Sequence, residues 1–146
     1  MTAALAGTAG AAESVFEGIA AEREGELAVV DTGAGTLRAL VVGDPDPGPG
    51  DAVQVSVRAD AVTLHDPGGT PSPDATSARN RFSGVATGVE RGDAVVEVRV
   101  DVSAADPLSA LVTVDSADRL GLREGSEVVA SFKATATRAT AADRTE

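Results

Sequence analysis

Few side chains in this 146-residue sequence are suited to catalysis, and they are widely separated. His65 is the only histidine, Lys133 is the only lysine, and cysteine is absent. A thiolate metal site is therefore excluded, and the sequence suggests no arrangement of serine, histidine and carboxylate as a catalytic triad. The acidic loop 44–51 lacks the spacing of a calcium-binding loop, and the Gly-x-x-x-x-Gly-Lys-Ser/Thr phosphate-binding motif does not occur. We expect a binding protein without a cofactor or a metal, not an enzyme.

The single lysine is the most informative of these residues. Eleven of the twelve basic residues are arginine. One lysine among them favours a compact ammonium donor at a place where a planar guanidinium would not fit. The alternative interpretation of Lys133 is a solvated charge at the end of a strand. His65 is interpreted as a loop residue at the edge of a linker rich in proline and glycine.

The net charge of −11 restricts the possible partners. Nucleic-acid binding needs a basic surface that replaces condensed counterions. Single-strand binding also needs aromatic side chains, and the chain has only three phenylalanines. The sequence therefore disfavours an oligonucleotide-binding protein. An excess of carboxylates with almost no lysine is typical of a halophilic cytoplasm, although an ordinary GC-rich genome also gives acidic proteins.

Nothing in the sequence indicates export or membrane insertion. Segment 1–12 lacks the positively charged start and the long apolar run of a secretory signal. No stretch approaches the roughly 20 apolar residues that cross a membrane. We expect a cytoplasmic protein.

Two copies of one pattern run along the chain. Segment 14–18, Ser-Val-Phe-Glu-Gly, corresponds to 80–84, Asn-Arg-Phe-Ser-Gly. Segment 50–59 corresponds to 125–134 in its glycine, its valines and its closing pair of a basic residue and alanine. Such internal similarity predicts two related structural units.

The composition between and around the copies sets the predicted boundaries. The join is rich in proline, glycine and serine, which sustain neither helix nor strand. The prediction is a disordered start at 1–12, a first repeat at 13–66, an exposed linker at 67–76, a second repeat at 77–138 and a flexible tail at 139–146.

Alternating valines give the clearest secondary structure. Valines at 96, 98, 100 and 102 alternate with charged residues, which is the period of a strand with one wet face. Short strands with glycine or proline between them favour small antiparallel barrels. The predicted strands are 27–31, 36–42, 52–57, 96–102, 110–114 and 127–136, with one short helical turn at 115–121.

Three motifs of the second repeat occur in one frame: Ser-Ala-Arg-Asn at 77–80, Leu-Gly-Leu-Arg-Glu-Gly at 120–125, and Lys-Ala-Thr at 133–135. In this order they resemble a molbindin, or Mop, repeat. The first repeat is similar to the TOBE repeats of ABC transporter ATPases. The resemblance implies an all-β fold of tandem small OB-like antiparallel β-barrels (TOBE/Mop), each with at most a short helical turn.

The resemblance further implies that the protein binds molybdate or tungstate, which are tetrahedral oxyanions. Hydroxyl groups, backbone amides and one ammonium group would donate to the anion. The implied residues are Ser77, Ala78, Arg79, Asn80, Lys133, Ala134 and Thr135, with Ser109 as a weaker candidate.

Two of these residues keep an alternative interpretation. The Arg79 side chain can equally be an exposed guanidinium that pairs with surface carboxylates, which leaves its backbone amide free. Asn80 can equally be a turn residue whose side chain satisfies its own backbone.

The first repeat departs from the motif, because Arg-Ala-Asp stands at 58–60 where the second has Lys-Ala-Thr. A carboxylate then replaces a hydroxyl, and we expect weaker or no anion binding there. Family members form trimers or other rings with sites between subunits, so the resemblance implies a homo-oligomer. Two functions follow: storage or buffering of the oxyanion, or a regulatory module that docks on a transporter ATPase or a transcription factor and binds anions weakly or not at all.

Overall fold

The computed structural model describes residues 13–43 and 46–142. Over these residues it contains ten strands, one α-helix and four short 3₁₀ turns. The strands are β1 (Glu13–Glu24), β2 (Leu27–Thr32), β3 (Gly35–Val41), β4 (Ala52–Arg58), β5 (Thr63–His65), β6 (Asn80–Arg91), β7 (Val95–Asp101), β8 (Leu108–Thr113), β9 (Glu127–Phe132) and β10 (Thr137–Ala141). The helix is α1 (Val114–Leu120), and the turns are Ala59–Ala61, Pro67–Gly69, Pro73–Ala75 and Ala134–Ala136.

The strands form two five-stranded sheets. One closes into a barrel in the order β1-β2-β3-β10-β4, and the other runs β5-β9-β6-β7-β8. Both contain two long antiparallel hairpins, and β1 and β6 each carry a register shift at the same point of the repeat, after Ala20 and Ala86. The predicted all-β fold of paired OB-like barrels is confirmed.

Each sheet contains one strand from the other repeat. β10 begins at the end of the second repeat, yet it pairs with β3 in parallel and with β4 in antiparallel orientation. β5 ends the first repeat, yet it pairs with β9. The boundaries predicted at 66 and 77 divide the sequence into repeats, but they do not divide the structure into separate sheets. Each repeat contributes one strand to the sheet of the other.

Side-chain alternation explains why the strands form and where the core lies. Val96, Val98 and Val100 of β7 are fully buried, and the charged residues between them lie on the other face. Phe82 and Phe132 pack together with ring centroids 5.9 Å apart. The buried residues of both sheets form one continuous hydrophobic cluster.

Several predicted boundaries differ from the structure. The strand predicted to run from 127 to 136 ends at Phe132, because a 3₁₀ turn follows at Ala134–Ala136. The tail predicted from 139 begins inside β10, where Ala139 is fully buried. The linker contains two 3₁₀ turns and no strand. The predicted disorder of 1–12 lies outside the described residues.

The helical turn predicted at 115–121 is present as α1. The Thr113 hydroxyl accepts a hydrogen bond from the Ser116 amide at 3.0 Å and caps the first turn. Gly121 ends the helix in the left-handed conformation, with φ at 63°, where a side chain would be strained.

Two glycines allow hairpin strands to approach closely. A Cβ atom on Gly84 would lie 2.5 Å from the Asp101 carbonyl oxygen, and one on Gly18 would lie 2.6 Å from the Asp31 carbonyl oxygen. Both distances are too short for any side chain. The two positions are equivalent in the repeats, so the shared Phe-x-Gly pattern reflects a packing requirement inside a strand.

Two polar side chains connect the sheets at equivalent positions. The Asn80 amide oxygen accepts from the Arg38 backbone amide at 2.8 Å, and its nitrogen donates to the Arg38 carbonyl at 2.8 Å. In the other direction, the buried Ser14 hydroxyl accepts from the Ser109 amide at 2.8 Å. Asn80 is the first residue of β6 and reaches β3, while Ser14 is the second residue of β1 and reaches β8.

Substitution of Asn80 by alanine is expected to lower the free energy of unfolding by about 1 to 3 kcal/mol, because two backbone groups of Arg38 lose their partners. Ser14→Ala is the matched variant and removes one such bond, so it should cost about 1 kcal/mol. Urea denaturation of both variants measures the difference. An equal or larger loss for Ser14→Ala would contradict the role assigned to Asn80.

Candidate functional site

A surface cavity of about 330 Å³ lies where β5, the end of β9 and the linker meet. Three of the predicted site residues line it together: Ser77, Ala78 and Lys133. Ser77 and Ala78 begin the second repeat directly after the linker, and Lys133 directly follows β9. The structure therefore brings two distant motifs, 77–80 and 133–135, to one cavity.

No aspartate or glutamate lines this cavity. Four other cavities formed by the described residues each include at least one carboxylate, such as Glu17, Asp101 or Glu127. Among these five cavities of the described residues, it is the one without carboxylates, in a chain with 23 acidic residues. Lys133 is the permanently charged residue of its lining, which makes the cavity suited to an anion.

The turn after β9 fixes where Lys133 departs from the sheet. Its carbonyl accepts hydrogen bonds from the Ala136 amide at 3.0 Å and the Thr137 hydroxyl at 2.8 Å. The lysine side chain is exposed, and no carboxylate of residues 13–43 and 46–142 forms an ion pair with it. Its charge is thus available at the mouth of the cavity.

Hydroxyl groups supply further polar atoms on the linker side. Thr76 and Ser77 both line the cavity. The Ala78 amide donates to the Thr76 hydroxyl at 3.1 Å, so this hydroxyl holds the short segment in place. Thr76 was not among the predicted residues, because the motif begins one residue later.

The side chains of Arg79 and Asn80 have other roles. The Arg79 guanidinium donates to the carbonyl oxygens of Pro73, at 2.6 Å, and of Thr76. It therefore stabilises the linker, and it binds backbone carbonyls where the alternative interpretation expected carboxylates. Asn80 is buried, and its amide group binds Arg38 of the other sheet. Its side chain satisfies a backbone 42 residues away, not its own.

The remaining predicted residues do not line this cavity. Ala134 is buried in the turn after β9, and Thr135 is exposed next to it. Ser109 lies on β8, where its amide donates to Ser14. Within one chain, Thr135 and Ser109 are therefore separate from the cavity.

Sequence reasoning also missed two lining residues that are hydrogen-bonded to each other. His65 and Ser131 both face the cavity, and the His65 Nε2 atom lies 2.8 Å from the Ser131 hydroxyl oxygen. The interpretation of His65 as a loop residue was wrong, because it is the last residue of β5. Thr63, Leu64 and His65 do alternate between exposed, buried and half-buried, but three residues are too few for a periodic signal.

The surroundings of His65 disfavour its protonated form. Burial in the first place, and the positive charge of Arg81 in the second, lower the pKa of His65 below its ordinary value of 6.5. Arg81 pairs with Ser131 across β6 and β9. One of its guanidinium nitrogens, Nη2, is buried without a hydrogen-bond partner.

The first repeat has a different arrangement at the equivalent turn. Arg58 and Lys133 precede 3₁₀ turns with the same backbone angles, φ −77° and ψ 143°. The Arg58 guanidinium lies 2.6 Å from the Asp60 carboxylate. The cation at this position is therefore paired within the chain, whereas Lys133 is not.

Comparison with known proteins identifies the fold family. The TOBE domain family matches residues 76–139. Molybdenum-pterin-binding protein 1 of Clostridium pasteurianum is 32% identical over 59 residues, which are 40% of this chain and 87% of that protein. The chain belongs to the molbindin-like TOBE family.

One solved structure and one transport protein are also similar to this chain. The cytoplasmic molybdate-binding protein ModG, in a form with molybdate bound, superposes with a TM-score of 0.77 at 25% identity, covering 90% of this chain and 98% of that one. The molybdate/tungstate import ATP-binding protein WtpC of Pyrococcus horikoshii is 38% identical over 84 residues, 58% of this chain. The chain spans 23% of WtpC.

The described residues contain neither a membrane-spanning helix nor a cluster of metal-binding side chains. No helix in this part of the TOBE protein is long and apolar enough to cross a membrane. No group of three histidine or acidic side chains in the same residues is placed to hold a metal ion.

His65 should titrate below pH 6.5 in the folded protein. Because the folded-state pKa is lower than the unfolded one, its contribution to stability is complete above pH 6.5 and is lost as the pH falls through the folded-state pKa. The ring-proton resonances of the only histidine give this pKa directly by NMR. A value at or above 6.5 would contradict the burial of the ring.

Proposed function

We propose that this protein binds a tetrahedral oxyanion of the molybdate or tungstate type in the cavity between the linker and the end of β9. The observation that carries the proposal is a cavity without carboxylates, with Lys133 at its mouth, in a protein of net charge −11. The molybdate-binding relatives support molybdate as the ligand. The Ser77 hydroxyl, the Lys133 ammonium and the backbone amides of Ser77, Arg79 and Asn80 would donate to it, while the Ala78 amide holds the segment through the Thr76 hydroxyl.

The chemistry of the anion matches this donor set. Molybdate is a dianion with four oxygen acceptors and no hydrogen to donate, so the site has to provide N–H and O–H groups. The overall negative charge of the protein opposes binding. Local donors overcome it because remote charges are screened, over about 10 Å at 0.1 M salt and about 3 Å at 1 M salt.

The proposed biological role is cytoplasmic storage or buffering by a homo-oligomer, a trimer or another ring. Thr135 is exposed beside Lys133 and is separate from its own cavity. In such a ring, Lys133, Ala134 and Thr135 would contribute to the anion site of a neighbouring subunit. Val15 and Ile19 are 40% and 48% exposed on one face of β1, and that apolar face would be covered by such assembly.

A regulatory module that docks on a transporter is the second candidate. The similarity to the import protein WtpC and the paired Arg58 and Asp60 of the first repeat favour it. In that case the second repeat would bind the oxyanion weakly, and the main partner would be a transporter component.

Isothermal titration of the purified protein with molybdate, with sulfate as competitor, distinguishes the two candidates. We expect micromolar or tighter binding that persists in excess sulfate. Lys133→Ala should weaken it about 10- to 100-fold, since a hydrogen bond from a charged group contributes about 1.5 to 3 kcal/mol.

Arg58→Ala is the matched control for this titration. It removes one positive charge from the equivalent turn, so it changes the global field equally, yet Arg58 is already paired with Asp60. Its effect should stay within about threefold. Equal losses in both variants would place the effect in the overall charge, and no heat with any oxyanion would reject the binding function.

Asp60→Thr should increase the number of anions bound per chain. The substitution removes a carboxylate 2.6 Å from the Arg58 guanidinium and places a hydroxyl where the second repeat has Thr135. The stoichiometry from the same titration reports the result, with Asp60→Glu as the control that retains the charge. An unchanged stoichiometry would show that the first repeat lacks more than this one group.

A further inference from the structure

His65 joins the cavity through the exchanged strand β5, and its contacts give it more than a packing role. Its Nε2 atom shares a hydrogen bond of 2.8 Å with the Ser131 hydroxyl. Both residues line the cavity together with Ser77 and Lys133. A change in the protonation of His65 therefore changes both the charge and the hydrogen-bond donors that the cavity presents.

The hydrogen bond to Ser131 transmits the protonation state. When Nε2 is unprotonated, the Ser131 hydroxyl donates to it, and its only hydrogen is used. In the imidazolium form both ring nitrogens carry hydrogen, so Nε2 donates to the Ser131 oxygen. The Ser131 hydrogen is then free to turn to another acceptor in the cavity, such as an anion oxygen.

Arg81 favours the neutral form of the His65 ring when no anion is bound. It lies opposite Ser131 in the register of β6 and β9, and one buried nitrogen of its guanidinium has no hydrogen-bond partner. No carboxylate of the described residues forms an ion pair with Arg81, and after burial its positive charge is the second factor that disfavours a cation at His65. A dianion in the cavity would offset that charge and favour protonation of the ring.

We propose that oxyanion binding in this cavity is coupled to the uptake of one proton from solvent by His65, which acts as a positioning residue for the Ser131 hydroxyl. The proposal rests on the proposed function of the same site. Oxyanion affinity should increase as the pH is lowered, by up to about tenfold per pH unit between the pKa of His65 in the bound protein and its pKa in the free protein.

The other charged groups near His65 have opposite effects. Lys133 lines the same cavity and, like Arg81, disfavours the imidazolium in the absence of an anion. Asp66 and Glu127 line a neighbouring cavity that His65 also borders, and both favour the imidazolium. These groups are present in the free and bound protein alike, so the change on binding comes from the anion.

The test uses the intact protein and its only histidine as the probe. The ring-proton shifts of His65 are followed by NMR against pH, without ligand and with saturating sodium molybdate, in the range where molybdate stays monomeric. We expect a higher pKa with molybdate bound. Isothermal titrations in two buffers of different ionisation enthalpy should show net proton uptake, and His65→Gln should abolish both the uptake and the pH dependence of the affinity.

Two variants separate this role from a purely structural one. Glutamine at 65 can still hydrogen-bond Ser131 but cannot titrate, so lost pH dependence in a folded His65→Gln protein supports the coupling. Ser131→Ala should lower the affinity at low pH more than at high pH. Binding heat with an unchanged His65 pKa would overturn the coupling and leave the proposed function intact, whereas the absence of binding heat would overturn both.

Discussion

Each sheet of this protein is completed by a strand from the other repeat, and the rest of the structure depends on that exchange. β10 bridges β3 and β4 of the barrel, and β5 adds an edge to β9 of the second sheet. Neither repeat has a full set of strands of its own. Asn80 and Ser14 then connect the sheets at equivalent points, and a single hydrophobic core serves both halves.

The exchange also builds the candidate site. The cavity wall combines His65 from the strand that ends the first repeat, Thr76 from the linker, and Ser77, Ser131 and Lys133 from the second repeat. No one repeat contains this combination. The equivalent turn of the first repeat shows how small a change alters such a site, because Asp60 pairs with the cation there. Turns of similar backbone therefore carry a neutralised cation in the first repeat and a cation with no ion-pair partner among the described residues in the second.

Local patterns predict the parts of this fold that are stabilised locally. The alternating valines of β7 and the capped turn of α1 can be read directly from the sequence. β5 and the buried start of the predicted tail cannot, because their hydrogen bonds are to strands more than 60 residues away. The structure brings Ser77 and Lys133 of the same chain to one cavity, whereas the role of Asn80 depends on Arg38, 42 residues earlier, which no local pattern reveals.

The position of β10 in the sequence also determines when the first barrel can close during synthesis. The strand that closes the first barrel is translated after the other nine strands of the described residues, so during synthesis the edges of β3 and β4 stay unpaired until residues 137–141 have left the ribosome. Pairing between such distant segments is slow, because the connecting chain has to be ordered before any contact is gained. Open strand edges are also where nascent chains associate. The first sheet therefore remains open between β3 and β4 while the second repeat is translated.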